Sequence, residues 1–298
     1  MSDVTRAVQR MWPGQDVQVE VLSGGITNQN LKVDVGGESF VLRVAGKNTD
    51  LLGIDREAEL AATEAAAAAR IGPEVVGFVL PEGWLVTRFL EGATPPMEHM
   101  REPAMLRRVA DALYAFHAGP AVPATFDSFR VVETYRQTTL ERGGAVPDAY
   151  DWAHEIAGRI EARRSADAHV PCHNDLLNAN FLRDGDHVWI VDYEYAGMGD
   201  VFFDLGNLSV NNDLDDAARD VLLDRYFLGD VRDRHRARLA LMCLMSDFRE
   251  AMWGVVQQAI STLDVDFVDY ADRHFARLLG NAATLPLDDL LRAAGEPI

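Results

Sequence analysis

Lysine is nearly missing from this chain of 298 residues. Lys32 and Lys47 are the only two, and every other basic residue is arginine. Any site that requires a lysine therefore has two candidates. Cysteine is equally scarce: Cys172 and Cys243 exclude a disulfide framework and a cysteine-based zinc pattern. No apolar run reaches the roughly 20 residues that cross a bilayer. Residues 1–12 lack the basic start and apolar stretch of a secretory signal, so a cytoplasmic protein is expected. Positive charge is in deficit, with 28 Lys+Arg against 47 Asp+Glu and a net charge of -19. Such a chain repels phosphate backbones and anionic lipid surfaces, which argues against nucleic acid and membrane as partners. What remains is ordinary for a folded globular protein: 48% hydrophobic and 25% charged residues. The length suits two domains or lobes of roughly 150 residues each.

The pattern changes along the chain. Val17, Val19 and Val21 alternate with polar residues and predict a strand. Residues 30–35 and 40–44 predict two more, joined by the hairpin signal Gly36-Gly37. An alanine-rich helix follows over 55–70, closed by Gly72-Pro73. A second hairpin spans 75–80 and 84–90 around Pro81, Glu82 and Gly83. After a Gly/Pro break at 92–96 the pattern turns helical, over 105–118, 148–165, 215–228, 233–262 and 266–280. Residues 169–206 are mixed, with strands expected at 180–183 and 187–191. The expected fold is α+β and bilobal. Residues 1–91 form a small antiparallel β lobe with one inserted helix, and residues 92–298 form a larger helical lobe. A cleft between them is the default ligand site. The edges of the β lobe are compatible with a homodimer.

The strongest chemical signal is His173-Asn174-Asp175-Leu176-Leu177-Asn178-Ala179-Asn180. An Asp followed five positions later by Asn matches the catalytic loop of protein kinases. There the Asp meets the acceptor hydroxyl and the Asn holds a metal. Twelve residues after Asn180, past a strand–turn–strand, comes Asp192. Asn180 and Asp192 together suffice as protein ligands for Mg²⁺, which keeps water and phosphate oxygens in its shell.

At this point the chain resembles the choline/ethanolamine kinases, within the aminoglycoside-phosphotransferase-like, protein-kinase-like fold. The resemblance covers about 22–279. Ser23-Gly24-Gly25-Ile26-Thr27-Asn28 resembles the family's phosphate loop, in which backbone N–H groups and Ser23, Thr27 and Asn28 donate to phosphate. Arg43 stands where protein kinases carry the strand lysine. The resemblance implies Glu59 as its partner, with Glu57 as the alternative. The segment Thr87-Arg88-Phe89-Leu90 resembles the hinge that meets adenine. Asp192-Tyr193-Glu194-Tyr195 and Phe203-Asp204-Leu205-Gly206-Asn207 resemble the choline-kinase signature, with Asp204 bracing the catalytic loop. Trp253 and Tyr270 resemble the aromatic walls of the choline pocket, which hold a quaternary ammonium by their ring faces.

Two departures matter. The relatives carry a second tryptophan where this chain has Glu250, and an acidic residue where it has Asn211. Glu250 is expected to supply the missing carboxylate and to favour a primary ammonium. The expectation is an ATP- and Mg²⁺-dependent kinase of a small cationic amino alcohol. Its acceptor side would comprise Asp175, Glu194, Asn211, Glu250, Trp253 and Tyr270. An aminoglycoside, thiamine or homoserine kinase is the alternative within the chemistry, and a catalytically silent nucleotide-binding scaffold lies outside it. Cys172 is expected to be a buried structural thiol, and the aspartates between 213 and 224 a solvated helix start and face.

Overall fold

The computed structural model describes residues 3–22, 28–46, 48–163 and 169–295. The chain opens with helix α1 (Asp3–Met11) and strands β1 (Gln18–Val21), β2 (Gln29–Val35) and β3 (Glu38–Val44). Helix α2 (Arg56–Ala68) is followed by β4 (Val75–Val79) and β5 (Trp84–Arg88). The five strands form one antiparallel sheet in the order β1-β2-β3-β5-β4. Gly36 and Gly37 join β2 to β3 with φ of 62° and 84°, and Val35 pairs with Glu38. Both turn residues need positive φ in this hairpin, and glycine takes it without a Cβ clash. Val19 and Val21 alternate as expected of a strand, yet both stay exposed, because β1 is the outer strand.

The remainder is mainly helical: α3 (Met97–Met100), α4 (Pro103–His117), α5 (Ser128–Glu141) and α6 (Ala149–Glu161) come first. Strands β6 (Val170–Cys172), β7 (Phe181–Asp184), β8 (His187–Ile190) and β9 (Gly197–Gly199) form two small antiparallel pairs, β6 with β9 and β7 with β8. Then follow α7 (Val201–Asn211), α8 (Asp216–Tyr226), α9 (Asp233–Ile260), α10 (Phe267–Thr284) and α11 (Leu287–Ala294). This is the α+β, protein-kinase-like architecture expected.

Two apolar clusters hold the molecule. One joins Ala7 and Trp12 to the sheet residues Leu31, Val33, Phe40, Leu42 and Val86. The larger runs through the helical part and includes Ala62, Ala65, Ala66 and Ile71 from α2 and the turn after it. Helix α2 thus lies between β3 and β4 in sequence but packs into the other core, and Ile190 N donates to Ile71 O at 2.7 Å.

Several elements escaped pattern reading. Helix α7 has its residues 202–210 all buried, so it shows no polar face and no 3.6-residue stripe. Helix α5 carries Val131, Val132, Thr134, Thr138 and Thr139, β-branched residues that weaken a helical signal. Asp127 nevertheless caps it by accepting from Phe129 N. The acidic run behaves as expected: Asp213, Asp215, Asp216, Asp220 and Asp224 are exposed, and Asp215 caps α8. Cys172 and Cys243 are buried thiols.

Candidate active site

Arg43 lies on β3, the middle strand of the sheet, between Asn30 and Leu85. It is 6% exposed, so its guanidinium does not reach solvent along an edge. A buried cation needs a counter-charge, and α2 provides it. Glu59 pairs with Arg43 Nη1, and Asp192 Oδ1 lies 3.6 Å from the same nitrogen. Glu57 is exposed in the first turn of α2 and takes no part. Burial pulls the Arg43 guanidinium down to about 10, against the pull of Asp192.

A second arginine, Arg56, was not singled out by the sequence. It donates to Glu59 Oε2 at 2.8 Å, to Glu194 Oε2 at 3.4 Å and to Asn28 Oδ1 at 3.2 Å. Asn28 Nδ2 donates to Glu194 Oε2 at 2.7 Å. Glu194 is therefore gripped by two residues of the β-sheet half. Of the expected phosphate loop, Asn28 is described; Ser23, Gly24, Gly25 and Thr27 lie outside the described residues.

The loop 173–180 is held from behind by α7. Asp204, fully buried, accepts from His173 N at 2.7 Å, Asn174 N at 2.6 Å and His117 Nε2 at 2.9 Å. One turn on, Asn207 Oδ1 accepts from Leu176 N at 2.5 Å. The His173 ring spans the loop: Nδ1 accepts from Asp175 N and Nε2 donates to Val191 O. Burial lowers its pKa, which keeps the ring neutral and able to do both. Asn174 and Asp192 both take left-handed backbone, with φ of 67° and 65°. Such strain persists where surrounding bonds over-determine it, and Asn174 Nδ2 donates to Cys172 O and Tyr195 O.

Asn180 Nδ2 donates to the Asp175 carbonyl at 2.8 Å and approaches Asp175 Oδ2 at 3.4 Å. Val191 N donates to Asn180 O, which ties the segment after β8 that carries Asp192 to the loop. Asn180 and Asp192 both line a cavity of about 600 Å³, together with Arg43, Glu59, Thr87, Arg88 and Leu90. Arg88 is bonded to Glu38 at the cavity's outer side. Burial, with Glu194 nearby, pushes the Asp192 carboxyl up to about 6. Its buried Oδ1 accepts no hydrogen bond.

Asp175 faces the other way as well. Its Oδ1 lies 3.3 Å from Arg249 Nη1, and the same nitrogen donates to Glu250 Oε1 at 2.8 Å. Burial raises the Asp175 carboxyl to about 8, although Arg249 opposes the rise. Glu250 also accepts from Tyr270 OH at 2.7 Å and Asn207 Nδ2 at 3.2 Å. Trp253 Nε1 donates to Tyr195 OH at 2.9 Å, and its ring meets Tyr270 edge-on at 5.3 Å. Asp175, Glu250, Trp253 and Tyr270 are thus brought together. Asn211, the last residue of α7, has a buried Nδ2 without a hydrogen-bond partner. On this side Arg249 went unremarked in the sequence, as Arg56 did on the other, and Asn207 appeared only within its motif. For Arg249 a signal existed: Asp247, Arg249 and Glu250 interrupt an otherwise apolar stretch of α9.

Residues 18–240 match the sequence profile of the APH family, described as the phosphotransferase enzyme family. A crystal structure of a choline/ethanolamine kinase family protein from Mesorhizobium loti superposes with a TM-score of 0.83, 31% identity and 98% of each chain covered. The chain belongs to the choline/ethanolamine kinases of the APH phosphotransferase family. Ethanolamine kinase 2 of Rattus norvegicus is 29% identical, over 89% of this chain and 76% of its own length. The choline kinase LicA of Streptococcus pneumoniae shares the fold, with a TM-score of 0.79, 20% identity and coverage of 95% of this chain and 98% of its own. The protein is a small-molecule kinase that transfers phosphate to a hydroxyl.

Proposed function

We propose that this kinase uses ATP and Mg²⁺ to phosphorylate a small amino alcohol such as ethanolamine or choline. The observation that carries the reading is the position of Asp175. It is hydrogen-bonded to Asn180 at the cavity and approached by Arg249 on the side of Glu250, Trp253 and Tyr270. That is where an acceptor hydroxyl between nucleotide and amine pocket belongs. The names of the relatives, ethanolamine kinase and choline kinase, support the acceptor class.

In this reading residues 1–91 hold the nucleotide and residues 92–298 the catalytic loop and acceptor. Arg43, fixed by Glu59, contacts the phosphates, residues 23–28 cover them, and the Arg88–Leu90 segment borders the base. Asn180 and Asp192 would hold Mg²⁺. The fit is good: both offer hard oxygen donors, and Asp192 Oδ1 is buried without a hydrogen bond. The ion neutralises charge on the transferring phosphoryl group when bound. Asp175 orients the acceptor hydroxyl and takes its proton. A carboxylate pushed up to about 8 by burial is a far better base than an ordinary aspartate. The loose transition state of phosphoryl transfer leaves positioning and charge neutralisation as the protein's main work.

The test is ATP consumption over a panel of ethanolamine, choline, thiamine, homoserine and kanamycin. Turnover on ethanolamine or choline with a kcat/KM at least about tenfold above the others supports the reading. Turnover confined to the other three compounds, or none, sinks it. In the same assay Asp175→Ala is expected to lose turnover while nucleotide still binds by calorimetry. Retained turnover in that variant would remove Asp175 from the role of base.

A further inference from the structure

We infer that Arg249 sets which ammonium the acceptor carries, admitting a primary amino alcohol and rejecting a trialkylammonium one. The inference rests on the amino-alcohol reading above and refines it.

A trialkylammonium has no N–H to donate, so a protein recognises it by aromatic faces and nearby negative charge. Around Asp175 those faces are already engaged. The Arg249 guanidinium lies over the Tyr195 ring with Cζ 4.5 Å from its centroid. Trp253 is turned edge-on to Phe267 and Tyr270, at interplanar angles of 74° and 62°, and its indole N–H is spent on Tyr195 OH. The Tyr195 face, next to Trp253, thus already holds the protein's own cation. Arg249 is 1% exposed and anchored by Glu250, so it is a fixed element of the site. Its Nε and Nη2 are buried without hydrogen-bond partners, which leaves its charge matched by Glu250 and Asp175 through Nη1.

A bulky cation entering beside this guanidinium meets like charge in a buried setting and brings nothing to offset it. A primary ammonium brings three donors, and two carboxylates, Asp175 and Glu250, stand within the same group.

The experiment measures kcat/KM for ethanolamine and for choline in the wild type, R249K, R249M, E250Q and R249M/E250Q. Removing Arg249 alone strands a buried Glu250 and can unfold the protein. The double variant removes both charges together and keeps the test open. The wild type and R249K are expected to prefer ethanolamine by about tenfold or more, and R249M/E250Q to shift the ratio towards choline by at least about tenfold beyond the shift in E250Q alone. A merely structural Arg249 would depress both substrates alike and leave the ratio unmoved, which overturns the inference. Equal wild-type use of choline and ethanolamine overturns it as well. Turnover of neither, with another hydroxyl compound consumed, rejects the amino-alcohol reading itself and this inference with it.

Discussion

Asp175, the proposed base, is a carboxyl placed in electrostatic conflict by its surroundings. Its carboxyl is pushed up to about 8 by burial, from an ordinary value of 3.8. A group whose folded pKa lies above its unfolded value holds its proton more tightly in the folded state. Its contribution to stability is full below about pH 4 and is lost as pH rises towards 8. Replacing it with the neutral isostere removes this penalty. Asp175→Asn is therefore expected to raise the Tm of the metal- and nucleotide-free protein by a few degrees at pH 8, with the gap closing towards pH 4. Thermal scans across that range check it; a variant less stable than the wild type at pH 8 contradicts it. The same comparison of residues explains Arg43. Its position alone resembled the kinase lysine, but only the pairing of β3 against α2 shows that Glu59, not Glu57, neutralises it.

Among the elements, α7 does most to hold the catalytic loop. Asp204 and Asn207 face the loop from one side of the helix, and Gly206 between them lets α9 approach. A Cβ on Gly206 would stand 2.8 Å from the Met242 carbonyl carbon and 2.9 Å from its oxygen. Backbone cannot yield as a side chain can, so Gly206→Ala is expected to cost about 1–3 kcal/mol. Because α7 carries the loop's anchors, kcat should fall more than the KM for nucleotide. Urea unfolding with steady-state kinetics checks both, and an unchanged midpoint counts against the close approach. Helix α7 was also the element least visible in the sequence. A helix buried on every side carries no amphipathic period, and its Asp, Gly and Asn read as loop residues.

For the whole molecule, the charge of -19 takes on a finer meaning. Two arginines stand at the proposed phosphate site: Arg43 is buried and Arg56 half-buried, beside Glu59, Asp192 and Glu194. The exposed aspartates of α8 and its approach face solvent. An acidic surface draws a cationic acceptor towards the protein, and salt screens that attraction. Raising ionic strength from 0.01 to 0.3 M is expected to lower kcat/KM for ethanolamine about two- to tenfold while kcat changes little. A flat salt profile would leave solubility as the sole consequence of the acidity. No helix among the described residues is long and apolar enough to cross a membrane, in line with the composition.

By itself the sequence determined the five strands of the main sheet, the β7–β8 hairpin, the alanine-rich helix, the Asp175–Asn180–Asp192 spacing and the family. These are local: period, turn residues and short motifs are written along the chain. Tertiary structure alone decided the partners. Asn28 meets Glu194 across 166 positions, and Arg249 approaches Asp175 across 74. Such contacts leave no spacing to read, because burial brings the groups together and each buried charge must then find a counter-charge nearby. That is why the catalytic loop was legible as a motif, while the guanidinium beside it emerged only from the packing of α9 against α7 and α10.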